Sequence, residues 1–224
     1  MIEHEAARVP LVNRYYLYTL FGRALNHEPD EALLDALGSR HTRDALAVAQ
    51  LLEDADRDVP APFAALPSPQ EAKSDYTKLL IGPDRLPVSP WESVHVTGDD
   101  LLFQKHTLEV REAYRQAGFR TAGRKAQPDD HIATELDFLA ALAHRAYEAA
   151  EATDDALLAS ALGASQAFLK EHLLQWVDAF ATGVAAATLA TCLYPQIAEL
   201  VARFARCDLR FVEGLLGQLR KTDE

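Results

Sequence analysis

The sequence predicts an all-α protein, a single-domain helical bundle with no β-sheet. Three observations predict it. Apolar residues recur at three- and four-residue spacing in most segments, no alternating strand pattern runs beyond a few residues, and glycine and proline punctuate the periodic stretches. A chain of 224 residues is long enough for a real core, because a globule of that size hides roughly 70–75% of its unfolded surface. Its 49% hydrophobic and 25% charged residues fit an ordinary globular protein and argue against a disordered chain.

Leu11 to Leu25 reads as an aromatic-rich helix, with Tyr15, Tyr18 and Phe21 a turn apart and Leu17, Leu20 and Ala24 on the adjoining stripe. Two structural helices follow, Glu31 to Leu37 closed by Gly38, and Thr42 to Ala55. The stretch DVPAPFAALPSP, residues 58–69, carries four prolines and is predicted as a surface connection into a helix over Gln70 to Ile81. Residues 81–100, IGPDRLPVSPWESVHVTGDD, form a long loop. Loops of that length in compact domains are usually functional or disordered. A tryptophan argues for order, so the proline-rich segment at about 82–98 is expected to be an ordered functional loop.

Thr97 or Asp99 is placed to cap the next helix, which runs to about Ala117 ahead of Gly118. A basic loop from Arg120 to Gln127 leads into a helix over Pro128 to Ala150. Pro128 is expected at its first position, with Asp129 and Asp130 near the positive end of the dipole. There Ile132, Leu136, Leu139, Ala143 and Ala146 make one apolar stripe that Phe138 and Leu142 widen. Three more helices are predicted: Ala156 to Ala181, Ala185 to Arg206 with Pro195 kinking or splitting it, and Asp208 to Lys221.

Composition excludes several classes. With 34 acidic against 22 basic side chains and a net charge of −12, no nucleic acid partner is expected, since phosphate binding needs basic patches. An acidic surface favours basic partners instead. Glu3 and Glu5 stand where a signal peptide would be basic. The uncharged run Ala179 to Ala198 holds Gly183 and Pro195 and is predicted as buried helix, so no stable membrane insertion and a cytoplasmic location are expected. Cys192 and Cys207, far from any second cysteine motif, are expected to be reduced and at least partly buried. The connections Pro60 to Pro69 and Pro83 to Pro90 offer hinges for exchange between copies, which leaves monomer and domain-swapped dimer open.

Chemistry-bearing patterns are few. Glu92 and His95 have the Glu-x-x-His spacing of di-iron bundles, but no second pair exists, so neither metal nor other cofactor is expected. No nucleophile elbow, phosphate loop or dinucleotide fingerprint occurs, so the chain is not expected to be an enzyme. His131, four residues before Glu135, could serve as metal ligand, general base, helix-terminal hydrogen-bonding group or binding residue. Trp176, in register with Leu173 and Phe180, reads as core; Trp91, between prolines, either plugs the core or floors a groove.

Four blocks then combine: DYTKLLIGP (75–83), SPWESVH (89–95), QPDDHIATELDFL (127–139) and FLKEHLLQWVDAF (168–180). In this order they resemble the TorD/DmsD family of redox-enzyme maturation chaperones, and with compatible flanking helices the resemblance covers essentially the whole chain. It implies a cytoplasmic, all-helical chaperone that binds the twin-arginine leader peptide and apoenzyme of a molybdenum-cofactor oxidoreductase and holds back export until cofactor is loaded. Trp91, Pro90, Asp130 and His131 match the family's peptide-binding surface, Leu79 and Leu80 its Leu-Phe pair, and Tyr18 a helix-one aromatic. Leu80 stands where the family has Phe, Gln127 where it has Glu, and His95 where an aromatic Tyr closes the loop. Such a leader has a basic front and an apolar segment, so its receptor needs acids at the rim of an apolar groove. Asp129, Asp130, Glu135 and Trp91 are the expected suppliers, with His131 a binding or orienting residue. A related reading is a NarJ-like assembly factor acting mainly on the enzyme body.

Overall fold

Helix α1 (His4–Asn26) starts well ahead of the Leu11 that opens its apolar pattern and runs straight through Pro10. The early turns are held by burial: Ala7 and Leu11 pack with Ala146, Ala149, Ala150, Leu158 and Val212 from other helices, and tertiary contact of that kind outweighs one lost helical hydrogen bond. The computed structural model describes residues 4–51, 62–82, 85–97, 105–120 and 128–221. Gln127, Asp99, Arg124 and Lys125, and the proline positions 60 and 83, lie outside those residues.

Short helices α2 (Glu31–Gly38) and α3 (Arg40–Val48) are capped by Asp30 and Ser39, whose side chains accept from Leu33 N and Thr42 N. Helix α3 ends earlier than predicted because Gln50 takes a positive φ of 58° and turns the chain. Pro69 opens α4 (Pro69–Tyr76) behind a reciprocal capping box between Ser68 and Glu71. The last predicted turns of that helix, Thr77–Ile81, widen into a π-helical turn that carries Leu79 and Leu80.

The long proline-rich loop is not loop throughout. It holds a short helix, α5 (Glu92–Thr97). Thr97 is the last residue of α5, its hydroxyl donating to Ser93 O at 2.7 Å, and the next described helix is α6 (Lys105–Gln116). Helix α7 (Ile132–Glu151) starts four residues later than predicted, with His131 at its N-cap and Pro128 outside the helix. The sequence pattern mistook an N-terminal turn for the first helical turn, because Pro and Asp favour both.

Helices α8 (Asp155–Phe168) and α9 (Leu174–Ala186) are joined by a π turn, Leu169–Leu173. The predicted buried helix over Ala179 to Ala198 is broken at 187–192. Asp75 of α4 is the cause: its buried carboxylate accepts from Ala190 N, Thr191 N and Thr191 Oγ1 at 2.8, 2.9 and 2.8 Å. Cys192, expected to be at least partly buried, is exposed in that break, while Cys207 is half-buried; both are free. Helix α10 (Leu193–Arg220) is unbroken. Pro195 sits in its first turn, where a missing N–H costs nothing. Asp208 is an interior residue of α10 and not a helix start.

The molecule is built around α7, whose long contact with α1 is the most extensive helix pair and whose other side meets α8; α10 packs on α8 and α9. One large cluster joins Phe21, Leu136, Phe168, Trp176, Phe180 and Phe204 among many others, and a smaller one gathers the α1, α7, α8 and α10 residues already named. The stripe predicted on α7 is buried along its whole length. The protein is all-α: among the described residues, extended pairing is confined to a single antiparallel bridge between Trp91 and His131. No described helix is long and apolar enough to cross a membrane.

Candidate functional site

The bridge is where two sequence blocks meet. Ile132 N donates to Pro90 O at 2.8 Å and Glu92 N to Asp130 O at 2.9 Å. The Trp91 and His131 rings stack edge-on at 5.8 Å. Pro90 is buried and Trp91 half-buried. Trp91 thus lies across the entry to α7, sharing the two roles the sequence left open: one face packs inward and part of the indole reaches solvent.

Asp130 faces inward. Its carboxylate accepts Ser93 N at 2.9 Å and the Thr107 hydroxyl at 3.1 Å, which ties the start of α5 to α6 and to the α7 entry. His131 also turns in: its Nδ1 accepts Ala133 N at 3.2 Å and caps α7. An accepting Nδ1 requires the neutral ring. Burial holds its pKa down at about 4, against the opposing pull of the Asp130 charge.

Beneath them lies a buried acid cluster. Glu92 sits 3.1 and 3.2 Å from His172 Nδ1 through its two oxygens. Glu135 Oε2 accepts the Trp176 indole N–H at 3.3 Å. Burial pushes the Glu135 carboxyl well above the usual carboxylate range, and the Glu92 charge with its hydrogen bond to Glu135 pushes the same way. Glu135 Oε1 has no hydrogen-bond partner among the described residues, so burial disfavours the charged form of this carboxyl. Residues 88–95 form a strap over this cluster, closed by His95, its Nε2 2.7 Å from Ser89 O and its ring stacked on Trp176 at 5.2 Å.

The acids expected at a groove rim are thus internal. Asp130 and Glu135 are fully covered, and Asp129 is buried with its Oδ2 2.5 Å from Arg111 Nε. The physical reason is local: 130–132 pair with the strap, so side chains there point at α5 and α9 and not at solvent. Leu79 is core and Leu80 half-buried on the π turn; no hydrogen bond or ring contact among the described residues joins them to Trp91. Tyr18 is elsewhere, its hydroxyl donating to Asp208 at 2.7 Å beside Arg14.

Sequence reasoning missed Glu92, Ser93, Thr107 and His172 as a working set. The signal was present, since Glu92 and His172 fall within two of the four blocks, but only the fold brings residues 80 positions apart to 3.1 Å. Among the described residues no group of three metal-ligating side chains is assembled. What the arrangement can do is hold a half-exposed tryptophan at a fixed place. The indole Nε1 of Trp91 is sheltered from water and has no acceptor among the described residues.

Comparison with known proteins matches residues 39–182 to the nitrate reductase delta subunit family. The chaperone protein TorD of Vibrio cholerae serotype O1 is 31% identical over 91% of this chain and 92% of its own length. A probable Tat proofreading chaperone DmsD from Haemophilus influenzae is 30% identical over 50% of this chain and 47% of its own. A solved redox enzyme maturation protein from Archaeoglobus fulgidus aligns over 89% of this chain and 93% of its own, with 22% identity and a TM-score of 0.44. The chain therefore belongs to the nitrate reductase delta subunit family, in its TorD and DmsD group of redox-enzyme maturation chaperones, and is a chaperone and not an enzyme.

Proposed function

We propose that this protein is a cytoplasmic chaperone for a molybdenum-cofactor oxidoreductase, binding the enzyme's twin-arginine leader peptide and its apo form and delaying export until cofactor is loaded. The similarity to relatives named TorD chaperone and Tat proofreading chaperone supports the class of client. The observation that carries the binding site is Trp91, half-exposed and pinned by the backbone hydrogen bonds of its two neighbours, Pro90 and Glu92. A peptide laid along the strap would cover the exposed part of the indole with its apolar side chains. Asp130, His131 and Glu135 act beneath, by fixing the strap; Asp129, which now holds Arg111 at the surface, is the acid that an incoming arginine could engage by exchange. Leu80, half-buried, and Ile81, exposed, give the π turn an apolar surface of its own that a leader's apolar segment could cover, with Leu79 in the core beneath and Pro90 buried beside Trp91.

The test is calorimetric titration with leaders of molybdoenzymes from the same genome, each beside a twin-lysine control, at two salt concentrations. Micromolar binding to one leader that weakens with twin-lysine, with salt and with Trp91→Ala is expected. A leader that binds Trp91→Ala as tightly as the parent would remove the site. The family's nitrate reductase description favours one other reading, an assembly factor that acts on the enzyme body; binding to the apoenzyme with its leader removed, and to no leader, would establish it.

A further inference from the structure

Away from the strap, α1, the end of α3 and the middle of α10 enclose a cavity of about 390 Å³. Its walls are mainly apolar, with Pro10, Val48, Phe204 and Phe211, and its base holds Asn13 and Arg14. None of its lining residues belongs to the Trp91 and His131 set. Arg14 is 3% exposed. It grips Asp208 along one edge, Nε to Oδ1 at 2.5 Å and Nη2 to Oδ2 at 3.0 Å, and Tyr18 donates to the same carboxylate. Asp208 is then fully used, yet Arg14 Nη1 is buried with no acceptor. A guanidinium has five N–H donors in a fixed plane, so the unbound nitrogen cannot rotate away to find one. The Asn13 amide, also buried, makes no side-chain hydrogen bond among the described residues.

The mouth is shaped by backbone and charge. The turn after α3, closed by Leu51 N to Leu46 O at 2.9 Å with Gln50 at positive φ, sets Val48 at the rim, 44% exposed. Opposite it stands Arg210, exposed and close enough to Cys207 to donate to its sulfur at 3.2 Å. Arg14 and Asp208 cancel, so the excess charge of the lining is the cation of Arg210. Cavities of this size hold small organic molecules. We infer that this cavity is a second binding site, taking a carboxylate carried on an apolar body, whose oxygens meet Arg14 Nη1 and the Asn13 amide while the body lies between Val48 and Phe211. Two sources present that chemistry, a free aliphatic or aryl carboxylate and the C-terminal carboxylate of an apolar peptide.

The experiment is titration of the full chain, followed by amide chemical shifts, with hexanoate, with hexanol as its uncharged counterpart, and with an apolar tripeptide in free-acid and C-terminally amidated forms. Saturable shifts at Asn13, Val48 and Phe211 are expected for hexanoate and the free-acid peptide, at least ten-fold weaker for hexanol and the amide. Tighter binding of the free-acid peptide than of hexanoate identifies a chain terminus as the ligand; the reverse identifies a small carboxylate. Arg14→Lys tests the base of the site. Because Arg14 is also structural, Val48→Glu is the second variant: it sets an anion at an exposed rim position and should weaken hexanoate at least ten-fold at unchanged melting temperature. Equal binding of acid and uncharged forms, shifts that map elsewhere, no saturable shift, or a Val48→Glu protein that binds hexanoate like the parent would each overturn the assignment.

Discussion

The carboxylate of Asp130 accepts the backbone N–H of Ser93 at 2.9 Å across 37 residues of sequence. With Glu92 N bonded to Asp130 O, this joins the residue beside His131 to the helix that follows Trp91. Asp130→Ala removes both side-chain bonds and strands a buried N–H and a buried hydroxyl. A loss of about 2–4 kcal/mol in unfolding free energy is expected, from the cost of roughly 1–3 kcal/mol per orphaned buried group. Urea denaturation measures it. In a Trp176→Phe background the remaining Trp91 emission should shift to the red as the strap loosens; unchanged emission would separate Asp130 from the strap.

His131 gives stability a dependence on acid. Its folded pKa of about 4 lies below the roughly 6.5 of a free imidazole. As pH falls through 6.5 the unfolded chain takes up a proton that the folded chain refuses, so this contribution is full above 6.5, declines between 6.5 and 4, and is gone below 4. The span corresponds to about 3 kcal/mol. His131→Asn keeps a side-chain cap acceptor and does not titrate. Its unfolding free energy should therefore vary less with pH over that window than the parent's.

Glu135 works in the opposite direction. Its folded pKa is raised by burial and by Glu92, so stability is undiminished below the unfolded value of about 4.3. It declines as pH climbs from there toward the folded value, while the unfolded chain alone releases its proton. Glu135→Gln retains an acceptor for Trp176 and removes the charge. It should stabilise the protein more at pH 8 than at pH 4, because the amide has no proton to lose. A substitution that destabilises equally at both pH values would refute the raised Glu135 pKa.

Gly183 sets how closely the strap approaches α9. A Cβ added there would lie 2.6 Å from Val88 Cγ2 and 3.0 Å from Val88 Cβ. Gly183→Ala should cost about 1–3 kcal/mol, the range for overpacking. Adding Val88→Ala should recover part of that, a coupling that a double-mutant cycle in thermal or chemical unfolding detects. Additive effects would mean the two residues do not meet.

The sequence by itself determined the helical class, the family blocks and the buried stripe of α7, because period and motif are local properties that neighbours along the chain supply. It also marked Trp91 and His131 as the residues to examine. Only the tertiary structure decided which way the acids face. Whether Asp130 meets cargo or Ser93 depends on a pairing between residues 90–92 and 130–132, and no local pattern contains it. The same holds for α10, where the sequence favoured a boundary near Asp208. Its charge, which would normally sit at a helix end or in water, is matched by Arg14, 194 residues away, and a buried carboxylate with a bidentate partner no longer needs either. Helix ends moved for a like reason: the entry to α7, where Pro90 O accepts Ile132 N, and the break that Asp75 makes at 190–191 are set by groups arriving from elsewhere in the fold.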